Sequence, residues 1–524
     1  MSRFLLVVAV LLALPASAQA AFDVPAFSVT PSALQAGSHP DVSVGLEFSG
    51  DEHVRDLTLS LPPGLVGNPN ATARCSPSAF AADDCPDATR IGTTSVVTRI
   101  ALLSVLPITA QGDVYNLRPG AGEPARLGVV VRPPLGAEKV FIVSRVALRS
   151  SDGGLDSIIT GLPSTIGTPL GDLEMRIESM NLTLLGRPAG AKQPFMTMPT
   201  SCRAATARVV ARSAPGTAVS RAAAPFTPTA CGRLPFKPAL AATVSNEVLP
   251  SARTVITGPA GNANTATAAV TLPKGLAVNP TALGQTCTLA QQESGPCPET
   301  SRIGRAVASS PLLPPLRGPV YLAQLPGRLL PGVRVDLSGV VRLSLLGVVD
   351  GNPLRTEFAG LPDVPLSRFE LTFDAGRGFR ATKDFCRGPL PQIGAELTGH
   401  NGAKANLREP VTVTGCAKPV AVLRVRGRRL RLRVTAARGG PALERVTLRL
   451  PKRLKAHPRR GRVSAGAKLS RRGVLTVSKA GARRITATLS RGAFTGRLGK
   501  KRRLRLVTRD VTGHVERQRI RARR

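Results

Sequence analysis

Apolar and polar residues alternate in short runs along almost the whole chain, and glycine or proline separates one run from the next. The segment 22–50 alternates in this way, and Leu57, Leu59 and Leu61 follow at every second position. Further strand-like runs cover residues 93–108, 126–132, 139–148 and 173–185. A period of two is typical of β-strands, and frequent glycine and proline favour short ones. The pattern therefore predicts an all-β protein in which only short helices occur.

This pattern occurs twice. Two pairs of matching segments show the duplication: LPPGLVGNP (61–69) with LPKGLAVNP (272–280), and CPDATRIG (85–92) with CPETSRIG (297–304). Tyr115 and Tyr321, the two tyrosines of the chain, fall in corresponding strand-like segments. The sequence therefore predicts tandem, duplicated β-sandwich-like modules, a first module at 21–234 and a second module at 235–418.

The eight cysteines follow the same duplication, because each copy contains one close pair and one wide pair. We predict four disulfides: Cys75–Cys85, Cys202–Cys231, Cys287–Cys297 and Cys386–Cys416. Closed loops of this kind stabilise a fold by roughly 3 kcal/mol each. A four-cysteine zinc site is the alternative, but nine intervening residues are more than zinc knuckles use. We therefore predict no metal and no cofactor. Within the first close pair, Ser76 and Pro77 predict the start of a short helix.

The first 20 residues have the features of an export signal. Arg3 precedes an apolar run, and Ala18-Gln19-Ala20 forms a small-residue cleavage site. The run is shorter than the roughly 20 residues that span a bilayer, and no later segment is long and apolar enough to do so. Disulfides agree with export, since they persist in oxidising compartments. We therefore predict a secreted or cell-surface protein with no transmembrane segment in the mature chain.

Residues 419–524 differ from the rest in charge. The chain carries a formal net charge of +39, and this segment holds nearly half of its 71 Lys and Arg but only three of its 32 acids. Arginine nevertheless alternates with Leu or Val in RRLRLRV (428–434), RVTLRLP (445–451) and RRLRLV (502–507). Alternation of this kind is typical of a half-buried strand with an arginine face. We predict a small C-terminal Ig-like β-sandwich rather than a disordered tail.

The arginine face is the candidate functional feature of the sequence. Clustered positive charge attracts polymers that carry phosphate or carboxylate groups, which outside a cell are wall polymers, lipid head groups or extracellular DNA. The candidate anion-binding residues are Arg428, Arg429, Arg431, Arg433, Arg502, Arg503 and Arg505. An equally weighted alternative is that a bias toward arginine codons fills solvated positions. The shortage of aromatic residues disfavours base-stacking nucleic-acid recognition and ring-stacking sugar binding.

Four segments together resemble a family of large secreted proteins from high-GC actinobacteria: QAGSHPDVSV (35–44), LPPGLVGNP (61–69), CPDATRIG (85–92) and PFMTMPTSC (194–202). Proteins of that family carry repeated cysteine-containing β-modules and often end in a basic β-domain. The resemblance covers most of the mature chain and implies secretion and a modular architecture, but no particular activity. The second copy departs from the pattern, since ATKDFC (381–386) replaces MPTSC.

Catalytic motifs are absent from the sequence. The five histidines are scattered, and no zinc-protease, nucleophile-elbow or nucleotide-binding motif occurs. His39-Pro40-Asp41 is the most suggestive group, and we interpret it as a structural turn. Distant residues could still assemble a site, because catalytic triads are defined by geometry.

Two further pairs of residues are more simply structural than functional. Asp87 with Arg90, and Glu299 with Arg302 in the second copy, are predicted to form ion pairs that brace the turn after a cysteine. The two tyrosines are predicted to pack in each core with their hydroxyls bonded to backbone. We therefore expect a non-enzymatic structural or interaction protein, possible partners being anionic envelope polymers. The alternative is a hydrolase acting on envelope polymers through a site that no motif reveals.

Overall fold

The structure is a computed structural model that describes residues 22–100, 107–134, 136–169, 171–214, 216, 218–328, 330–438, 440–451, 453–496, 503–511 and 513–523. Strands make up 54% of it and helices 5%, arranged as sandwich or barrel-like modules, so the all-β prediction is confirmed. The predicted export signal at 1–20 and the candidate Arg502 lie outside the described residues. The chain divides into two compact units between Cys231 and Gly232.

The first unit contains one large antiparallel sheet. Its strands are β1 (Asp23–Pro31), β2 (Val42–Ser49), β3 (His53–Leu61), β4 (Val66–Gly67), β5 (Arg90–Ile100), β6 (Ile108–Leu117), β7 (Ala125–Arg132), β8 (Val140–Leu148), β9 (Leu155–Ile159), β10 (Thr165–Thr168), β11 (Gly171–Leu184), β12 (Met196–Thr197), β13 (Ala205–Ala214) and β14 (Val219–Phe226). Helix α1 spans Pro77–Ala81 and a 3₁₀ turn spans Asp87–Thr89. The order is β1-β2-β11-β5-β6-β7-β8-β9-β3-β13-β14, with β10 paired to β11 and β4 to β12.

The two ends of this sheet meet. The backbone N–H of Val24 on β1 donates to the hydroxyl of Ser220 on β14 at 3.1 Å, and that hydroxyl donates to Asp23 at 2.7 Å. Alternate side chains of the strands turn inward and form one apolar cluster, in which Leu65, Ile91 and similar side chains are fully buried. Contact between the ends makes the module barrel-like.

The second unit begins with a sheet of the same design. Its strands are β15 (Ala239–Ser245), β16 (Ala252–Thr257), β17 (Thr265–Thr271), β18 (Leu276–Val278), β19 (Arg302–Ser309), β20 (Leu316–Ala323), β21 (Gly332–Ser338), β22 (Arg342–Asp350), β23 (Arg355–Phe358), β24 (Arg368–Phe373), β25 (Phe379–Ala381), β26 (Gln392–Gly399), β27 (Lys404–Pro410) and β28 (Thr412–Thr414). Helices α2 and α3 span Pro280–Leu283 and Leu289–Ser294, and a 3₁₀ turn spans Glu299–Ser301.

Strand order shows that the two modules are copies. The second sheet reads β15-β16-β24-β19-β20-β21-β22-β23-β17-β26-β27, with β28 added beside β15 and β18 paired to β25. Each of these strands takes the place of its counterpart in the first sheet. The strand β10 has no counterpart in the second module, because the connection there is shorter. Nine residues join the end of β23 to Arg368, the first residue of β24. In the first module, nineteen residues join the end of β9 to Ser179, which has the same place on β11 as Arg368 has on β24.

The rest of the second unit is the predicted C-terminal sandwich. Its strands are β29 (Val420–Arg426), β30 (Arg429–Thr435), β31 (Leu443–Arg449), β32 (Lys455–Ala456), β33 (Ala467–Leu469), β34 (Val474–Ala482), β35 (Arg484–Leu489), β36 (Phe494–Thr495), β37 (Arg503–Asp510) and β38 (Val515–Arg523). One layer is β33-β34-β31-β37-β38 and the other is β29-β30-β35, joined by a short parallel pairing of β38 with β29. Buried Leu, Val and Ile from both layers form a single cluster. The predicted domain boundaries stay a prediction.

The four predicted disulfides are all present. Cys75–Cys85, Cys202–Cys231, Cys287–Cys297 and Cys386–Cys416 have Cα–Cα distances of 5.4, 5.9, 5.4 and 5.6 Å. The predicted helix after Cys75 is also confirmed, because the Ser76 hydroxyl accepts the N–H of Ala79 at 3.1 Å. A cap of this kind satisfies a backbone donor at the helix start. The disulfide frame therefore lies where the duplication predicted it.

Candidate anion-binding surface

The predicted arginines that the structure describes lie on the outer surface of the C-terminal sandwich. On β30, Leu430, Leu432 and Val434 are buried while Arg429, Arg431 and Arg433 are exposed. Successive side chains of a strand point to opposite faces, so the apolar half builds the core and the basic half meets solvent. Arg428 is exposed in the turn before β30, and β37 exposes Arg503 and Arg505 in the same alternation.

Strand pairing places arginines from three strands in register in the first layer. Arg505 on β37 lies directly opposite Arg449 on β31 and Arg519 on β38. Arg503 likewise lies opposite Arg521. Directly opposite side chains in an antiparallel pair have Cβ atoms about 4.5–5.5 Å apart, and like charges there are destabilising. We call this surface the β37 face and define it by Arg449, Arg503, Arg505, Arg519 and Arg521.

A second arginine surface covers the other layer. Arg424 on β29 lies opposite Arg431, and Arg426 lies opposite Arg429. We define the β30 face by Arg424, Arg426, Arg429, Arg431 and Arg433. Because the apolar sides of both layers share one buried cluster, the two faces lie on the outer surfaces of the sandwich. Arg449 belongs to the predicted alternating run 445–451, but it was not among the predicted anion-binding residues, and neither were Arg424, Arg426, Arg519 and Arg521. The segment VERQRIRAR (515–523) also alternates and could have revealed two of them.

The acids of this segment do not neutralise either face. Glu444 pairs with Arg509 at 3.0 Å and Glu516 pairs with Lys418 at 2.9 Å. Asp510 is buried and accepts the backbone N–H of His514 at 3.0 Å. Within the described part of 419–523, the arginines that define the two faces therefore have no carboxylate partner.

Several arginines of the modules are placed differently, because they pair with acids. In the second module, Arg253 forms a two-pronged ion pair with Glu370, with both N–O distances 2.6 Å, and Arg368 adds a third bond at 3.0 Å. The hydrogen bonds from Arg253, opposed by partial burial and supported by the hydrogen bond from Arg368, lower the pKa of Glu370 to about 2. In the first module, Arg132 bridges Asp83 and Asp113 at 2.8 and 2.7 Å.

The group His39-Pro40-Asp41 is structural, as predicted. The Nδ1 atom of His39 lies 3.0 Å from the carbonyl oxygen of Met196, and burial lowers the pKa of the ring. The carboxylate of Asp41 accepts the backbone N–H of Gly186 at 2.7 Å. Both side chains therefore hold neighbouring loops of the first module in place.

The predicted ion pairs after the cysteines are confirmed in one copy only. Glu299 pairs with Arg302 at 3.1 Å, but Arg90 pairs with Asp113 at 3.3 Å, so the predicted Asp87–Arg90 pair is wrong. The reason is strand register. Asp113 on β6 lies two positions from Tyr115, the residue opposite Arg90, and so shares its face, whereas Pro319 occupies the matching position in the second copy and offers no carboxylate.

Both tyrosines pack beside the close disulfide of their own module. Tyr115 belongs to a small buried cluster with Cys75, and Tyr321 to one with Cys287, apart from the main cores. The hydroxyl of Tyr115 forms a hydrogen bond with the Arg132 side chain, and its predicted bond to backbone stays a prediction. Burial lowers the pKa of Arg132, but hydrogen bonds with Tyr115 and then Asp83 outweigh it and raise the pKa above its usual value.

A polar cavity lies in the second unit beside the Cys386–Cys416 disulfide. It has a volume of about 250 Å³, and its acidic and histidine lining consists of Asp384, Asp510, His514 and Glu516. Asp384 pairs with Arg387 at 3.2 Å, and the other two acids have the contacts given above. Over the described residues, no group of three His, Cys, Asp or Glu side chains is arranged to hold a metal ion. Within those same ranges, no helix has the length and apolarity to cross a membrane.

Comparison with protein-family models gives no match, and comparison with curated proteins gives none either. One similar solved structure is described as the complete structure of manganese lipoxygenase of Gaeumannomyces graminis and partial structure of zonadhesin of Komagataella pastoris. It is 12% identical over 74% of this chain and 93% of that chain, with a TM-score of 0.17. A marsupial T cell receptor is 8% identical over 95% of this chain and 99% of that chain, with a TM-score of 0.13. Scores this low carry no argument about function.

Proposed function

We propose that this protein is an exported, non-catalytic interaction protein whose C-terminal sandwich binds polymers that carry phosphate or carboxylate groups, such as the anionic polymers of a cell envelope. The row Arg449–Arg505–Arg519 carries the proposal, because three like charges lie in register without a carboxylate partner among the described residues. Such a row is destabilising in the free protein and is relieved when an anionic chain lies along it.

A polymer fits this surface better than a single small anion does. Neighbouring strands are about 4.8 Å apart, so the β37 face presents charge at regular intervals over three strands. Guanidinium groups bind phosphate and carboxylate through two parallel hydrogen bonds. The sandwich contains one aromatic residue, Phe494, and it is buried, so stacking on nucleic-acid bases contributes nothing. Binding is therefore expected to be electrostatic and independent of sequence.

Localisation outside the cytoplasm is part of the proposal. Four disulfides are compatible with an oxidising compartment. The export-signal pattern at 1–20 and the resemblance to secreted actinobacterial proteins support the same location. A hydrolase is the less favoured candidate, because the carboxylates of the polar cavity are already engaged by Arg387, Lys418 and the backbone of His514.

The test is polyphosphate binding by the full-length protein over a range of salt concentrations. The triple variant Arg449→Gln/Arg505→Gln/Arg519→Gln is expected to lose about tenfold or more in affinity at low salt and to show a shallower dependence of log K on log salt concentration. The matched control is Arg253→Gln/Arg305→Gln/Arg328→Gln, which removes the same charge from arginines that pair with acids. Equal losses of affinity in both variants would mean that net charge alone attracts the polymer, as expected if a bias toward arginine codons merely fills solvated positions.

A further inference from the structure

The second module contains an apolar cavity of about 80 Å³ inside its sheet. Twelve of its fifteen lining residues are apolar, the other three are threonines, and none is charged. An engineered cavity of about 150 Å³ with a similar lining stays dry and binds benzene, so this one has room for part of a narrow alkyl chain. A dry, apolar wall makes van der Waals contacts with such a chain, whereas a polar group there would be buried without a hydrogen-bond partner.

The cavity lies where the second copy lacks a part of the first. In the first module, the hairpin of β10 and β11 places Ile166, Met175 and Ile177 in the core, each at most 5% exposed. The second module has no β10, and its β24 begins at Arg368. The residues that close one end of the first sheet therefore have no counterpart in the second.

Matching residues show the effect of this loss. Leu162 and Leu361 occupy the same place in the two modules. The backbone N–H of Leu162 donates to the carbonyl oxygen of Arg55 on β3 at 2.8 Å. The N–H of Leu361 donates to that of Ala266, the corresponding residue on β17, at 3.1 Å. Leu162 is 6% exposed, whereas Leu361 is only half-buried and lines the cavity. The second module is thus accessible at the end where β16, β19, β21 and β23 finish.

Charge at that end also differs between the copies. The matching region of the first module carries six acids: Asp51, Glu52, Glu138, Asp172, Glu174 and Glu178. In the second module the connecting loops hold one acid, Asp363, which is buried and accepts the side-chain amide of Asn264 at 2.8 Å. Three exposed basic residues lie at or next to the start of strands around this end, namely Arg317, Arg342 and Lys404. The rim therefore favours an anionic group beside an apolar interior.

We infer that the second module binds the alkyl chain of an amphiphile with an anionic head group. The chain enters at the end that lacks the β10 hairpin and contacts Leu361, Phe369 and Leu371, while the head group stays at the rim near Arg342 and Lys404. The first module does not bind it, because Ile166 fills the corresponding space. This site is separate from the arginine faces.

The experiment titrates the full-length protein with dodecanoate by calorimetry. Saturable binding with one site per chain is expected, and Thr254→Leu, which fills the cavity from its wall, should weaken it about tenfold or more. Thr372→Leu is the matched control, since Thr372 follows Leu371 on β24, points to the other face and does not line the cavity. Equal binding by wild type and a folded Thr254→Leu variant would overturn the assignment.

Two further measurements keep the inference testable should Thr254→Leu fail to fold. In the wild-type protein, a spin-labelled fatty acid should broaden the methyl resonances of Leu345, Leu371 and Leu397, which line the cavity. It should not broaden that of Leu57, which lies in the core of the first module. Broadening of Leu57 without broadening of the three cavity leucines would contradict the inference. Arg342→Glu/Lys404→Glu should weaken dodecanoate binding several-fold more than dodecanol binding. Equal weakening of both ligands would overturn the role given to the rim.

Discussion

Arg253 in the second module lies beside Glu370, whereas Arg505 in the C-terminal sandwich lies between Arg449 and Arg519. Both arginines are exposed on an outer sheet face above an apolar core. Arginines such as Arg253 are thus compensated within the fold of a module that disulfides also cross-link, while the sandwich contains no cysteine and the arginines of its two faces have no carboxylate partner among the described residues. The difference suggests that paired arginines such as Arg253 need no partner from outside the fold, whereas the two arginine faces of the sandwich are surfaces that an anionic partner completes.

The largest expected contrast concerns cross-links. Cys287→Ser/Cys297→Ser should destabilise the second module by about 3 kcal/mol, because opening the loop restores chain entropy to the unfolded state. Hydrogen exchange resolved by segment should show faster exchange in β19 and β20, with β30 and β37 little affected. The corresponding double variant of Cys75 and Cys85 serves as the control in the other copy. Equal acceleration in the sandwich would show that its stability depends on the modules.

Exchanging charges should act in opposite directions in the two regions. Glu370→Gln removes the partner of two arginines and should cost about 1–2 kcal/mol, more than a typical surface pair because the geometry is two-pronged. Arg505→Glu places a carboxylate between two arginines and should stabilise the free protein by about 0.5–1 kcal/mol. Urea unfolding measures both. A loss of stability in Arg505→Glu would show that the arginine row is not under electrostatic strain.

Local features of the fold were predictable from the sequence, because they depend on neighbouring residues. Alternation along β30 separates buried Leu432 from exposed Arg431, and Ser76 with Pro77 marks a helix start. The disulfides needed one further step, the recognition that each copy repeats a close and a wide pair. Such features follow from spacing alone, and the structure confirms them.

Features that depend on strand register were not predictable. Arg449 and Arg519 are 70 residues apart in the sequence and lie on either side of Arg505 only because β31 and β38 both pair with β37. The predicted Asp87–Arg90 pair failed for the same reason, since the register of β5 and β6 brings Asp113 to Arg90. Pattern identifies which residues are exposed, but pairing decides which of them meet.

Acid should weaken the compensated region first. The pKa of Glu370 is about 2 in the folded protein and 4.5 for a free glutamate, so the unfolded state binds the proton at higher pH. The contribution of the ionised Glu370 to the free energy of unfolding is therefore complete above about pH 4.5 and is lost as the pH falls toward 2. The stability difference between wild type and Glu370→Gln should shrink steadily over this interval. A constant difference would mean that the two arginines do not act through the charge of Glu370.

Salt should produce the smallest contrast, with opposite signs in the two regions. Raising the salt concentration shortens the screening length from about 30 Å at 0.01 M to about 3 Å at 1 M, so it weakens attraction and repulsion alike. The row around Arg505 should gain a few tenths of a kcal/mol, while the pair of Arg253 with Glu370 should lose a similar amount. Arg505→Glu removes the repulsion and should abolish the gain, which urea unfolding at two salt concentrations can detect. A gain that persists in this variant would place the effect of salt elsewhere than in the arginine row.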